Sequence, residues 1–161
     1  MCAYVGIDVG NHGAIAVITP QSVAAYEIPK TSGKFDLLKF FELMKEIKQK
    51  HKIKIVAIEK AQAMPKQGVV SMFRYGYHCG QIEGIILALG LPYVLVSPHT
   101  WQKPMFVGVE GCQNSKHKAY TVFCRLFSQY IDIVKTKKSF SDGKVDAILI
   151  AEWCRTYAAK A

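Results

Sequence analysis

The chain opens with short runs dominated by apolar residues and punctuated by turn chemistry. Residues 3–9, 14–19 and 22–28 read as β-strands separated by Gly10-Asn11-His12-Gly13 and Pro20-Gln21. Such close spacing predicts successive antiparallel strands. Between residues 35 and 50 the period changes. Leu37, Leu38, Phe40, Phe41, Met44 and Ile47 recur at helical spacing while lysines fill the other face, which predicts an amphipathic helix. A fourth strand is expected over 53–59, a long helix carrying glycines over 69–89, and a fifth strand over 92–97. Ser97 before Pro98 is a helix start, an N-cap followed by the residue best tolerated in the first turn, and a short helix should run through Met105. Residues 107–114, with Gly108 and Gly111, read as a loop, and 115–130 and 144–159 as the last two helices. The order βββαβαβααα predicts an α/β fold: a mixed five-stranded sheet flanked by helices.

Length changes this picture little, because 161 residues fit one domain over 1–161 with a single core. Charge changes it more. Lys and Arg number 21 against 12 acidic residues, and a net +9 on so small a domain points to a polyanionic partner, nucleic acid before acidic membrane. The five cysteines, at 2, 79, 112, 124 and 154, are too scattered for a zinc knuckle or a disulfide framework, so a reducing, cytoplasmic interior is expected. The N-terminal stretch reaches Asp8 without a basic leader and long apolar run, and no apolar run approaches the ~20 residues that span a bilayer.

The candidate chemistry lies in acids placed where acids are disfavoured. Asp8 sits inside an apolar strand, and strand parity puts it on the face of Gly6, opposite Val5, Ile7 and Val9, with open room expected beside the glycine. Its alternative role is to open the Gly10–Gly13 turn. Glu59 ends an almost wholly apolar strand in the same way; a solvated strand end is the alternative. If the fourth strand lies parallel beside the first, as a crossover through a helix favours, both acids emerge at one edge of the sheet. Asp146 precedes Ala147-Ile148-Leu149-Ile150-Ala151, a segment apolar all round. The helix macrodipole contributes only ~0.3–1 kcal/mol to such an acid, little against the cost of burying a lone carboxylate. Asp142 lies four residues earlier, on the same face if the helix extends that far, and is otherwise an N-cap or part of an Asp-Gly turn.

Carboxylates gathered without a counter-charge repel by roughly 4 kcal/mol per pair at 4 Å and an effective dielectric near 20. A divalent cation removes that repulsion. Oxygen ligands without a His/Cys cluster select Mg²⁺ or Mn²⁺ over zinc, and two such ions suit in-line phosphodiester cleavage.

These residues also carry a resemblance. Val5-Gly6-Ile7-Asp8-Val9-Gly10, Ala57-Ile58-Glu59-Lys60 and Asp142-Gly143-Lys144-Val145-Asp146-Ala147 resemble the acidic motifs of the RuvC-like Holliday junction resolvases, whose fold is that of ribonuclease H. The similarity runs nearly end to end. It is nearest to the short phage and prophage endonucleases through Met64-Pro65-Lys66-Gln67-Gly68, Ser71-Met72-Phe73-Arg74, Ser97-Pro98-His99-Thr100-Trp101 and Asn114-Ser115-Lys116. The resemblance implies a ribonuclease H-like, Mg²⁺-dependent endonuclease of a bacterial or phage-infected cell. It would act as a homodimer and nick two strands of a four-way DNA junction symmetrically. Asp8, Glu59 and Asp146 would take the metal roles and Asp142 the place of a fourth ligand, which histidine fills in some members.

Lys60, Lys66, Arg74, Lys103, Lys116 and Lys118 flank the acids in sequence and are candidate phosphate contacts, each with a merely solvated lysine or arginine as its alternative. Phe73, Tyr75 and Tyr77 begin the long helix, where an aromatic can stack on an unpaired base or fill core. Trp101 and Trp153 are assigned to packing, and His12, His78 and His99 lack ligand spacing. Gly76, Gly80 and Gly84, four residues apart, suggest a helix face for dimerisation. Three rival readings remain open. The glycine-bounded start also looks like the phosphate loop of actin-like ATPases, which need two such domains. A catalytically silent junction-binding protein would use the acids structurally, and a ribonuclease relative would act on RNA.

Overall fold

The computed structural model describes residues 2–60, 62, 68–112 and 114–160. Three strands, β1 (Cys2–Asp8), β2 (Ala14–Ile18) and β3 (Val23–Glu27), form the expected antiparallel meander. A two-stranded hairpin follows, β4 (Lys30–Thr31) with β5 (Lys34–Phe35), turned through Ser32 at φ 51° and Gly33 at φ 74°. This corrects the helix predicted from residue 35. Phe35 is strand, and its ring packs edge-on against Phe40 at 5.6 Å. Helix α1 (Leu37–Lys50) starts after Asp36, whose side chain accepts the Lys39 N–H, and it buries Phe40, Met44 and Ile47.

Strand β6 (Lys52–Glu59) returns parallel to β1, helix α2 (Val69–Ala88) crosses over, and β7 (Tyr93–Val96) adds parallel to β6. The sheet order is β3-β2-β1-β6-β7, so the acid-bearing β1 and β6 are interior neighbours. Beyond it come α3 (Pro98–Met105), capped by Ser97, and α4 (Ser115–Phe127), capped by Asn114. The helix predicted to reach residue 130 ends at Phe127. A 3-10 turn over 128–130 and a short α5 (Ile131–Val134) take the place of its last turn. The last helix, α6 (Asp142–Thr156), begins two residues earlier than predicted because Ser141 supplies the cap, its side chain accepting the Lys144 N–H.

Strand alternation divides the core. Ala3, Val5, Ile7 and Val9 face α1 and α2, while Ala14, Ala16 and Ala57 face the layer of α3, α4 and α6. The open room expected beside Gly6 is filled: a Cβ there would lie 2.3 Å from the Ala147 carbonyl oxygen and 2.3 Å from the Ala151 amide nitrogen. Glycine lets the α6 backbone lie directly on β1, which places the N-terminal turns of α6 over the end of that strand. Among the described residues no helix is long and apolar enough to cross a membrane.

Candidate active site

The register carries Ile7 opposite Ile58 on parallel strands, so Asp8 and Glu59, one residue further on, leave neighbouring strands side by side. Both sit on the face covered by α6. Asp8 is 9% exposed, and one carboxylate oxygen accepts the Gly10 amide at 2.9 Å, so the residue is both the Asx-type turn former and part of the acidic group. Burial raises its pKa, the Gly10 N–H opposes that shift, and the charge of Asp142 adds to it. Glu59 accepts the indole N–H of Trp101 at 2.8 Å. Burial and then the charge of Asp8 push Glu59 up to about 7, against the Trp101 hydrogen bond.

Helix α6 brings the other two acids. Because the helix starts at Asp142, that residue is in the first turn and not the N-cap, and Asp146 follows four residues later on the same face. A Cβ on Gly143 would lie 1.9 Å from the His12 carbonyl oxygen and 3.2 Å from Asp8 Oδ2. A bare backbone at residue 143 is therefore what seats the first turn of α6 against the β1–β2 turn and next to Asp8. Burial first, then the charges of Asp8, Glu59 and Asp142, push Asp146 up to about 8, with Lys116 opposing. The charges of these carboxylates thus act on their neighbours in the group.

Two further groups belong to this end of the sheet. The Lys116 ammonium pairs with the Asp142 carboxylate, so this phosphate candidate serves as a counter-charge to the acids. Tyr75, on α2, has its phenol pKa raised by burial and by the charges of Glu59, Cys79 and Asp8, in that order. Of the two roles the sequence allows Tyr75, stacking ring or helical core, the second fits its half-buried place against the core, whereas Trp101 is expected to serve packing alone. Trp101 is fully buried, as packing requires, but its N–H is aimed at Glu59. The signal available was position: Trp101 follows the capped start of α3, which begins where β7, the strand beside β6, ends.

The other candidates divide. Lys60 is exposed directly after Glu59. Lys103 and Arg74 are exposed, and Lys118 is half-buried in the first turns of α4. Phe73 is 74% exposed and stacks parallel to Tyr77 with ring centroids 6.4 Å apart, so it is not core. Lys66, and with it 64–67 of the quoted loop, lies outside the described residues.

The donor set is four carboxylates, of which Asp8, Glu59 and Asp146 are raised first by burial and then by the charges of their neighbours, and it fits a hard divalent cation in its chemistry. Among the described residues, however, no group of three His, Cys, Asp or Glu side chains is disposed as a finished ion cage. Glu59 is held by Trp101 and Asp142 by Lys116. Cation binding at this site would have to draw Asp142 from its lysine.

No family model matches the chain, and no curated protein does. Solved structures do. RuvC of T. thermophilus in complex with a Holliday junction substrate aligns at TM-score 0.66 over 100% of this chain and 97% of that one, at 14% identity. A second Thermus thermophilus RuvC structure aligns at 0.57 over 98% and 97%, also at 14% identity. The yeast mitochondrial Holliday junction resolvase Ydc2 aligns at 0.59 over 96% of this chain and 78% of its own, at 13% identity. With its mixed sheet, its crossover through α2 and its closing helix laid over β1, the chain has the ribonuclease H-like fold of the RuvC-like resolvases.

Proposed function

We propose that this protein is a Mg²⁺-dependent endodeoxyribonuclease that resolves four-way DNA junctions by paired symmetric nicks, within the cytoplasm of a bacterial or phage-infected cell. The observation that carries the reading is the gathering of Asp8, Glu59, Asp142 and Asp146 at one end of the sheet, in a fold shared with proteins described as Holliday junction resolvases. Asp8, Glu59, Asp142 and Asp146 would hold two Mg²⁺ ions, or Mn²⁺ in their place. Bound there, the ions would supply an activated water and stabilisation of the leaving 3′ oxygen. The protein's own contribution is positional. The Gly10 amide fixes the Asp8 carboxylate, the Trp101 indole fixes that of Glu59, and the close seat of α6 on Gly6 and the His12 carbonyl fixes the start of the helix that bears the other two.

Substrate positioning is assigned to the basic residues that flank the acids in sequence and to the exposed aromatics of α2. Lys60, Lys66, Arg74, Lys103, Lys116 and Lys118 would bind backbone phosphates, which sets register without reading sequence. Helix α2 runs antiparallel to the strands it connects, so its N-terminal turns lie at the acidic end, as the coupling of Tyr75 to Glu59 and Asp8 requires. Exposed Phe73, two positions from Tyr75, is placed to stack on a base unpaired at the branch point.

A two-fold junction needs two active sites, and a homodimer supplies them. Val69, Val70, Phe73, Tyr77 and Leu87 are all more than half exposed, and Gly76, Gly80 and Gly84 have open space where a side chain would be. These residues share one stripe of α2. The part beyond Phe73 and Tyr77 would bury against a second copy.

A second reading has one observation in its favour: Asp142 already has a cation in Lys116, which suits acids that are structural in a non-catalytic branched-DNA-binding protein. One experiment separates the two. Labelled four-way, three-way, flap and linear duplex DNA are incubated with wild type and Asp8→Asn, in Mg²⁺ and in EDTA. The enzyme reading expects Mg²⁺-dependent paired nicks by wild type, strongest on the four-way junction, and junction binding without nicking by Asp8→Asn. Nicking by Asp8→Asn at the wild-type rate would overturn the metal assignment, and binding without cleavage in wild type would favour the silent reading. The same branch in RNA tests the ribonuclease alternative.

A further inference from the structure

We infer that the turn carrying Lys135, Lys137 and Lys138 is a phosphate-gripping element that holds a DNA arm beside the acidic site. The inference rests on the DNA-endonuclease reading and adds to it a surface that the sequence analysis did not include. The turn joins α5 to α6 and is braced along its length. The Thr136 N–H donates to the Ser139 carbonyl at 2.9 Å, the Ser139 N–H to Thr136 Oγ1 at 3.0 Å, and the Ser141 N–H to the Val134 carbonyl at 2.7 Å. Lys135 and Phe140 form an antiparallel bridge.

Its base is fixed next to the site from two sides. The Phe140 ring lies flat on Tyr120, centroids 4.0 Å apart at 8°, and meets His117 edge-on at 6.4 Å. Both partners are on α4, which also carries Lys116 and Lys118. On the other side Ser141 caps the helix whose first residue is Asp142. The two lysine-bearing segments therefore meet at Phe140, next to the Lys116–Asp142 pair, and together form a basic rim along the acids.

Among the described residues nothing pairs with the three charges of the turn. Lys135, Lys137 and Lys138 are exposed, and among the described residues none of them makes an ion pair, whereas Lys116 and Lys144 nearby are paired with Asp142 and Glu27. Three like charges on one braced turn repel one another, and that arrangement becomes favourable when a polyanion is bound. The tip, Thr136-Lys137-Lys138-Ser139, carries no apolar side chain to enter a lipid interface, so the chemistry selects a hydrated phosphodiester backbone over a membrane.

The test is the salt dependence of binding to a synthetic four-way DNA junction in EDTA, followed by fluorescence anisotropy. Wild type is compared with the triple variant Lys135→Ala, Lys137→Ala, Lys138→Ala and with the corresponding triple arginine variant. Three lost phosphate contacts should lower the slope of log affinity against log salt by roughly 2 to 3, and weaken binding at ~0.1 M salt by roughly tenfold or more. The arginine variant should keep the wild-type slope, and the alanine variant should keep the wild-type melting temperature, because these exposed side chains make no hydrogen bond or ion pair among the described residues. An alanine variant with the wild-type slope and affinity would overturn the inference while leaving the nuclease reading intact. A wild type that binds neither branched nor duplex DNA would overturn both.

Discussion

The indole N–H of Trp101 donates to Glu59 Oε1 at 2.8 Å across the interface between α3 and the sheet, so a fully buried core residue is also a support of the acidic site. The hydrogen bond engages one oxygen of the carboxylate, Oε1. Partners of this kind typically govern metal affinity by 10–100-fold. Trp101→Phe keeps an aromatic ring in the core and removes the donor together with the volume of the indole's second ring. We expect its half-saturating Mg²⁺ concentration for cleavage to rise by roughly that factor, with the rate at saturating Mg²⁺ largely recovered. Calorimetric titration with Mn²⁺ should show the same loss without DNA. In a Glu59→Gln background the second substitution should add little, because the two residues act as one unit. Unchanged metal affinity in Trp101→Phe would reduce Trp101 to packing.

The raised carboxylates set a pH dependence for the metal-free protein. Glu59 stands at about 7 and Asp146 at about 8, against 4.5 and 3.8 for the free side chains, and Asp8 is shifted in the same direction. Below pH 4 both folded and unfolded chains hold these protons. Between about 4 and 8 the unfolded chain releases protons that the folded chain retains, so stability falls as pH rises through that window and levels off above it. In EDTA the melting temperature should therefore fall from pH 5 to pH 8, and Mg²⁺ should offset most of the loss by binding the ionised forms. Asp146→Asn removes one buried charge. It should raise the EDTA melting temperature at pH 8 by a few degrees, at roughly 2–4 °C per kcal/mol for a domain of this size, and blunt the response to Mg²⁺. Scanning calorimetry in which Asp146→Asn and wild type show the same pH slope would count against this account.

Self-association should depend on the outer stripe of α2. Gly80 has open space at its Cβ and lies between the exposed Tyr77 and Leu87. Gly80→Gln fits the monomer without a clash and raises helix propensity, but places a polar side chain on the surface assigned to the second copy. Sedimentation equilibrium should show wild type as a dimer and Gly80→Gln as a monomer with an equal or higher melting temperature. On a four-way junction the variant should nick strands singly. A wild type that remains monomeric with and without junction would remove the dimer from the proposal.

The sheet was legible because its strands are apolar runs bounded by Gly, Pro and Asn, and the crossover through α1 made β6 parallel to β1. From that much, Asp8 and Glu59 could be placed side by side. What stayed hidden was geometry that periodicity does not encode. The β4–β5 hairpin has two residues per strand, too few to show alternation, and its signal is confined to Ser32-Gly33. The start of α6 hinged on a single cap, Ser141, which decides between the two places left open for Asp142 in favour of the first turn. The direction of the Trp101 N–H and the pairing of Lys116 with Asp142 follow from tertiary packing alone. The room read beside Gly6 was real as the absence of a side chain, but helix backbone occupies it.

That close approach makes Gly6 the position where packing and site are most tightly joined. A methyl group at Gly6 would fall 2.3 Å from both the Ala147 carbonyl oxygen and the Ala151 amide nitrogen, and 2.9 Å from the Ala151 Cα. All three are backbone atoms of a buried helix, so no side chain can swing aside. Overpacking a core costs typically 1–3 kcal/mol, and rigid neighbours put Gly6→Ala at about 3 kcal/mol or above. At ~2–4 °C per kcal/mol the melting temperature should drop by roughly 6–12 °C. Relief can come only from lifting α6 off β1, which carries Asp142 and Asp146 away from Asp8. Gly6→Ala at a temperature where it remains folded should therefore bind Mn²⁺ more weakly than wild type, whereas a cavity-forming change of similar cost far from the site, such as Met44→Ala in α1, should leave Mn²⁺ affinity unaltered. Equal metal binding by Gly6→Ala and wild type would show that α6 does not set the position of the acids.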